Sequence, residues 1–307
     1  MNTKTATFAC FEMNVIDLNK KGWQWALLIF LSIMWGSSFI LMKRGLLVYS
    51  HTQVAAIRIS LSFLVLVPFA FQALRKVEKK KWVYILISGV FGNGIPAFLF
   101  TKAQTQIPSA LSGMLNSLTP IFALILGLLF FKARTGTLQI IGVIIGLAGA
   151  VGLITSNGVD LSNTNFSYSL YIVLATICYA ISVNVIKTHL KEINAIHITA
   201  LAFFSIGPVT IPYLFTTDFV DTFLQNEHAL QALGYIAILA IFGTAMSVLL
   251  FNMLIKKTTT LFATSVTYLI PIVAILWGML DGEKFNMIQA ICIITTLIGI
   301  YFINKFR

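Results

Sequence analysis

Ten runs of mostly apolar residues follow one another along the chain, at 23–42, 52–74, 82–101, 108–131, 137–156, 167–186, 195–217, 229–255, 258–280 and 285–304. A helix needs about 20 such residues to cross the hydrocarbon core of a bilayer. Arg58 and His197 are the only Arg, Lys, Asp, Glu or His residues within the runs. Backbone N–H and C=O groups find no water in lipid, so a lone apolar segment there bonds internally as a helix. The pattern predicts an all-α polytopic membrane protein of ten transmembrane helices, spans 1 to 10, with connections too short for a soluble domain.

Composition agrees. The 307 residues are 58% hydrophobic and 10% charged, with a mean hydropathy of +0.90, whereas soluble domains carry about 25% charged residues. The net charge of +11 reads as membrane orientation and not as a nucleic-acid footprint, because Lys and Arg gather in cytoplasmic loops. With the tail 1–22 in the cytoplasm, Lys43, Arg44, Lys102 and Lys284 fall outside and Arg58 within a span, so sixteen of the 21 basic residues lie inside. Asp160, Asp218, Asp221, Glu227, Asp281 and Glu283 all fall outside. Both termini, 1–22 and 305–307, are then cytoplasmic in a cell inner (plasma) membrane.

The chain also repeats itself. At a shift of 144 residues Ser38 meets Ser182, Lys43 meets Lys187 and Pro68 meets Pro212. At 151, Phe91-Gly92 meets Phe242-Gly243, Leu99-Phe100 meets Leu250-Phe251 and Pro120-Ile121 meets Pro271-Ile272; at 150, Gln139 meets Gln289 and Gly149 meets Gly299. Prolines and glycines at common register weigh more than shared leucines, since each imposes a kink or a close approach. Two repeats of five spans, 23–156 and 167–304, joined by the extracytoplasmic linker 157–166, must enter the membrane from opposite sides, because five is odd. Inverted repeats are a plan of secondary transporters, with the substrate site near the midplane where the halves meet.

Short motifs in this order resemble a known family. Met34-Trp35-Gly36-Ser37-Ser38-Phe39 in span 1 and Ala56-Ile57-Arg58-Ile59 in span 2 are similar to signatures of the EamA group of the drug/metabolite transporter superfamily. So are Ser117-Leu118-Thr119-Pro120-Ile121, Tyr268-Leu269-Ile270-Pro271-Ile272 and Gly282-Glu283. The first repeat departs from the pattern, with Phe131-Lys132 where the family has an acid after span 4. The resemblance implies export or exchange of small metabolites, amino acids among them.

Polar residues inside a membrane are costly and face a bundle interior or a watery path. Arg58 is read as a gating or structural residue, with a substrate carboxylate or a snorkelled position near the headgroups as its other uses. Phe91-Gly92-Asn93-Gly94-Ile95-Pro96 is expected to break span 3 in mid-membrane, and its counterpart around Gly243 to be less disrupted. Gly113, Asn116 and Pro120 share one helix face, and Thr264, Tyr268 and Pro271 another. Trp35 and Ser38 in span 1 match Tyr179, Ser182 and Asn184 in span 6 as a wall of aromatics and hydrogen-bonding groups. The expected cavity lining is Trp35, Ser38, Asn93, Asn116, Tyr179, Asn184, Thr264 and Tyr268. Gly92, Gly243, Pro120 and Pro271 join Arg58 as gating or structural positions. Gly142, Gly146, Gly149 and Gly152 follow helix-packing spacing.

Enzymatic motifs are missing: there is no H-E-x-x-H, Walker A loop or G-x-S-x-G. Cys10, Cys178 and Cys292 make no C-x-x-C, and His51, His189, His197 and His228 are scattered, so no metal or cofactor is expected. The expected protein is a secondary transporter, monomer or homodimer, that exports or exchanges an amino-acid-like or amphiphilic small molecule by alternating access. Lipid-linked or multidrug export on the same fold, or a membrane assembly or sensor protein that transports nothing, are the competing readings.

Overall fold

The structure is a computed structural model that describes residues 17–107, 109–155, 166–280 and 287–305. The expected linker 157–166, apart from Phe166, and the motif Gly282-Glu283 lie outside the described residues, as do most of the N-terminal tail and the last two residues. Every regular element among the described residues is helical. In chain order they are α1 (Lys21–Leu46), α2 (His51–Leu74), α3 (Lys79–Gln104), α4 (Ser109–Asn116), α5 (Thr119–Phe130), α6 (Thr137–Thr155) and α7 (Phe166–His189). The chain continues through α8 (Ala195–Phe215), α9 (Phe219–Gln225), α10 (Ala229–Lys257), α11 (Thr260–Thr264), α12 (Val266–Leu280) and α13 (Met287–Lys305).

Seven of these, α1, α2, α3, α7, α8, α10 and α13, are long and apolar enough to cross a membrane, and shorter apolar helices run over Thr119–Phe130, Thr137–Gly152 and Thr260–Val273. Spans 4 and 9 are each divided, between Asn116 and Thr119 and at Ser265. Pro120 and Pro271 have no N–H to donate, so the carbonyls of Asn116 and Thr267, four residues earlier, lose their helical partners. Side chains replace them: Thr119 Oγ1 donates to the Asn116 carbonyl at 2.7 Å, and Ser117 Oγ, from the other repeat, to the Thr267 carbonyl at 3.1 Å.

Polarity is distributed as in a bilayer protein. Large apolar side chains such as Ile29, Phe30, Ile33 and Ile40 on α1 face outward, while Ser62, Thr101, Ser117, Thr199 and Thr264 are fully buried. Buried hydroxyls satisfy themselves on carbonyls one turn back, as Thr101 does on Ala97 and Thr199 on Ala195.

The two repeats interlock reciprocally. Helix α2 packs on α8, its own counterpart, and α6 on α13. Helix α3 packs on α7 as α10 packs on α1, and α5 meets α7 as α12 meets α1. The α6–α13 contact is made backbone to backbone: a Cβ on Gly299 would collide with the Gly146 amide, and one on Gly142 would come 2.8 Å from the Gly299 carbonyl. This is the close approach that small residues permit in membranes.

Candidate functional site

Helices of both repeats enclose a cavity of about 110 Å³, whose lining obeys the internal symmetry. Trp35 is there with its counterpart Tyr179, Ser38 with Ser182, Ile59 with Phe203, Asn93 with Thr244, Phe100 with Phe251 and Asn116 with Thr267. The aromatic pairs cross the repeat boundary in mirrored fashion. Trp35 meets Phe251 edge-on at 5.0 Å between ring centroids, and Tyr179 stacks on Phe100 at 5.9 Å. Each face of the cavity is therefore built from one repeat's first helix and the other repeat's third.

Arg58 breaks the symmetry. Its counterpart at the 144-residue shift is Ala202, so the cavity has a cation on one side only, and none of its lining residues is acidic. The Arg58 Nε donates to Thr244 Oγ1 at 2.6 Å, and Thr244 Oγ1 in turn donates to the Leu239 carbonyl at 3.0 Å. The hydroxyl's one proton is thus engaged, which leaves its oxygen to accept from the guanidinium. Placing an Arg at the centre of a lipid-facing helix costs about 2.5–3.5 kcal/mol on insertion scales; here the side chain turns into the cavity instead.

Thr244 is positioned by a local departure from the α-helix. Val90–Gly94 in α3 and Ile241–Met246 in α10 are π-helical turns at equivalent places in the two repeats. Ile95 N–H bonds back five residues to Val90, just before Pro96, and Ser247 N–H to Phe242. The widened turn in α10 is held by hydroxyls: Ser247 Oγ donates to the Phe242 carbonyl at 2.6 Å, and Ser62 Oγ, from α2, to the Ala240 carbonyl at 2.9 Å. Such π turns gather at functional sites. They correct two expectations. The span-3 segment does not break the helix, and the segment around Gly243 is as distorted as its partner.

The glycines of these turns admit the first helix of the opposite repeat. A Cβ on Gly92 would run into Ser182 Oγ, and one on Gly243 would stand 2.5 Å from Ser38 Oγ. The Gly243 carbonyl accepts from Trp35 Nε1 at 3.0 Å.

Of the residues expected to line the cavity, Trp35, Ser38, Asn93, Asn116, Tyr179 and Thr264 stand on its wall, with Arg58 and Gly92. Two do not. Tyr268 is completely buried, its hydroxyl donating to the Val143 carbonyl at 2.9 Å and its ring lying where a Cβ on Gly146 would come within 2.6 Å. The helix is interrupted at Ser265, between Thr264 and Tyr268, and past that break the Tyr268 side chain faces α6. Asn184 is also buried; its Nδ2 donates to the carbonyls of Ala123 at 3.0 Å and Ala180 at 2.9 Å, joining α7 to α5. Both are packing residues. Gly243, Pro120 and Pro271 are not lining residues; the Gly243 carbonyl holds the lining residue Trp35.

Sequence reasoning passed over Asn252, Thr119 and Ser88. Asn252 Nδ2 donates to Thr199 Oγ1 at 2.9 Å, and its side chain lines the cavity with Val248 and Thr244, one and two turns earlier. An Asn on the face of Thr244 in an apolar span was the available signal. Asn93 has no side-chain hydrogen bond among the described residues, and Asn116 Oδ1 has one weak contact, 3.3 Å from the Thr119 Oγ1 whose single proton it shares with the Asn116 carbonyl. Their amide N–H groups remain for a ligand.

A two-repeat helical membrane protein with a polar, aromatic-walled chamber between its halves belongs structurally with the carriers. The family model for the EamA-like transporter family matches residues 23–155 and again 166–305. The chain belongs to that family and is a multi-pass membrane protein of transporter type. The inner membrane transporter YedA of Escherichia coli (strain K12) is 27% identical over 267 residues, covering 84% of this chain and 83% of YedA. A transporter of Archaeoglobus fulgidus is 24% identical over 288 residues, covering 92% of this chain and 99% of its own. A solved crystal structure shares the fold with a TM-score of 0.66 at 15% identity, over 90% of this chain and 94% of that one.

Proposed function

We propose that the chain is a secondary carrier of ten spans, arranged as two inverted five-helix repeats. It exports or exchanges a small amino-acid-like or amphiphilic solute across the inner (plasma) membrane, with both termini cytoplasmic. One observation carries the reading: the chamber is lined by equivalent residues of both repeats. A site on the axis between matched halves is what rocking one half against the other can open to either side in turn. The hydrogen-bonding groups on the wall, among them Arg58, Asn93 and Asn116, count against a sealed assembly or sensor bundle. No Asp or Glu lies within a described span, so a buried carboxylate exchanging a proton for cargo is not part of this mechanism; facilitated export or exchange is.

Counterflow in proteoliposomes tests the function. Vesicles preloaded with the cargo should accumulate labelled cargo transiently without a pH gradient, and uptake strictly dependent on such a gradient would overturn the coupling. Single cysteines at Lys20 and Lys305 should label from the same, cytoplasmic side. Labelling from opposite sides would remove the ten-span arrangement.

A second reading, export of a lipid-linked or drug-like molecule, is favoured by one feature. An apolar cleft of about 440 Å³ lies between α2, α3 and α8, walled by Val90, Ile95, Phe98, Ile206 and Val209, and it shares Ile59 with the central chamber. A hydrophobic tail could lie there.

A further inference from the structure

The chamber holds one charge and nothing that neutralises it. Arg58 lines it, and no lining residue is an Asp or Glu. Of the five guanidinium N–H donors, Nε is committed to Thr244 Oγ1 at 2.6 Å. That contact does more than satisfy one donor. Because Thr244 donates its own proton to the Leu239 carbonyl, it holds the guanidinium plane at a set angle against the π turn of α10. The four remaining N–H groups, on the two terminal nitrogens, form the fork that matches a carboxylate with two parallel hydrogen bonds.

We propose that the cargo is an organic monocarboxylate with an apolar or aromatic body, recognised through its carboxylate by Arg58; this rests on the carrier reading above. The rest of the wall agrees with an anion of single charge. The amide N–H groups of Asn93 and Asn116 can donate to it, while the aromatic pairs Trp35 with Phe251 on one side and Tyr179 with Phe100 on the other suit a flat or branched apolar body. A phosphate, with up to two charges and more acceptors, would find a single cation. A free amino acid would bring an ammonium group for which the lining has no carboxylate, only amide oxygens, hydroxyls and ring faces. The chamber therefore ranks an acid above the amino acid of the same skeleton, and ranks a cationic amine last.

Four ligands of one skeleton test this: 3-phenylpropionate, phenylalanine, 3-phenylpropan-1-ol and 2-phenylethylamine. Each is titrated against the purified full-length protein in detergent, with tryptophan fluorescence as the readout, and then used in counterflow. The acid should bind at least tenfold more tightly than each of the other three. Arg58→Met should erase that preference, so that acid and alcohol bind equally, and Arg58→Lys should restore part of it. Thr244→Val keeps the charge but frees its orientation; it should weaken acid binding several-fold while the acid stays ahead of the amine. Thermal unfolding of each variant establishes that it is folded. A wild type that prefers the amine or the amino acid, or binds none of the four, overturns the proposal, as does an acid preference unchanged in folded Arg58→Met. Tight acid binding without counterflow would sink the carrier reading and leave the recognition intact. Counterflow of the alcohol or amine in preference to the acid would do the reverse.

Discussion

Ser38 of the first repeat lies directly against Gly243 of the second, its Oγ 2.5 Å from where a Cβ on Gly243 would stand. Ser182 stands in the same relation to Gly92. These reciprocal contacts seat α1 and α7 in the π turns of the opposite repeat, and they set how closely the walls of the chamber approach.

Gly243→Ala should therefore overpack the seam and cost about 1–3 kcal/mol. Adding Ser38→Ala removes the colliding hydroxyl and leaves Leu239 Cδ1, at 3.1 Å, as the nearest atom, the movable end of a flexible side chain. The double variant should recover most of the lost unfolding temperature in a scanning fluorimetry experiment. No recovery would mean that the glycine serves the π turn itself and not the contact.

Asn93 and Asn116 present amide N–H groups to the chamber without partners among the described residues. Replacing Asn93 by Ala should leave stability within about 0.5 kcal/mol of wild type, replacing Asn116, which also loses its contact with Thr119, should cost about 1 kcal/mol, and either should reduce transport of a bound solute several-fold. Size-exclusion profiles measured beside counterflow rates separate the two effects. A parallel fall in both would make these residues structural.

Tyr268 and Asn184 should behave in the opposite way. Tyr268→Phe deletes the bond to the Val143 carbonyl and should cost about 1 kcal/mol, with transport per folded molecule unchanged. Asn184→Ala leaves the Ala123 carbonyl without its side-chain donor and should lower stability by about 1–3 kcal/mol. Chemical denaturation and counterflow on the same preparations would show whether stability moves alone.

Lys187, in the last turn of α7, sends its ammonium across to the end of α10, where Nζ donates to the carbonyls of Ile255, Lys256 and Thr258. The final carbonyls of a helix have no partners of their own and carry partial negative charge. Lys81 Nζ donates likewise to the carbonyl of His189, the last residue of α7, and Lys256 Nζ to that of Ile193 in the turn that follows. This end of the bundle is thus drawn together by lysines on carbonyls. Lys187→Met should cost about 1.5–3 kcal/mol, the range for hydrogen bonds made by a charged donor. It should also raise the labelling rate of a cysteine placed at Ile186 on the chamber wall. An unchanged rate would confine Lys187 to a purely structural role.

Much of this architecture was legible in the chain. The apolar runs announced membrane helices, because a continuous apolar segment of that length satisfies its own backbone in lipid as a helix. Prolines and glycines at matched register announced the duplication, because each imposes local geometry that apolar side chains do not. The same shifts that pair Trp35 with Tyr179 and Phe100 with Phe251 turn out to pair the two walls of the chamber.

Facing was not legible. Tyr268 and Thr264 sit four residues apart on spans broken near Ser265, and the break rotates one toward α6 and the other toward the chamber. Nor could periodicity distinguish Asn116, on the chamber wall, from Asn184, bonded to a neighbouring backbone. A polar side chain in a membrane must be satisfied, and whether a carbonyl or a ligand does so depends on which helix arrives opposite. The sequence alone determined that Arg58 would stand in the membrane without a matching acid in any span. Only the packing of α10 against α2 decided that it would meet Thr244 and face the chamber, because that contact joins residues 186 positions apart, a separation over which no local pattern constrains the chain.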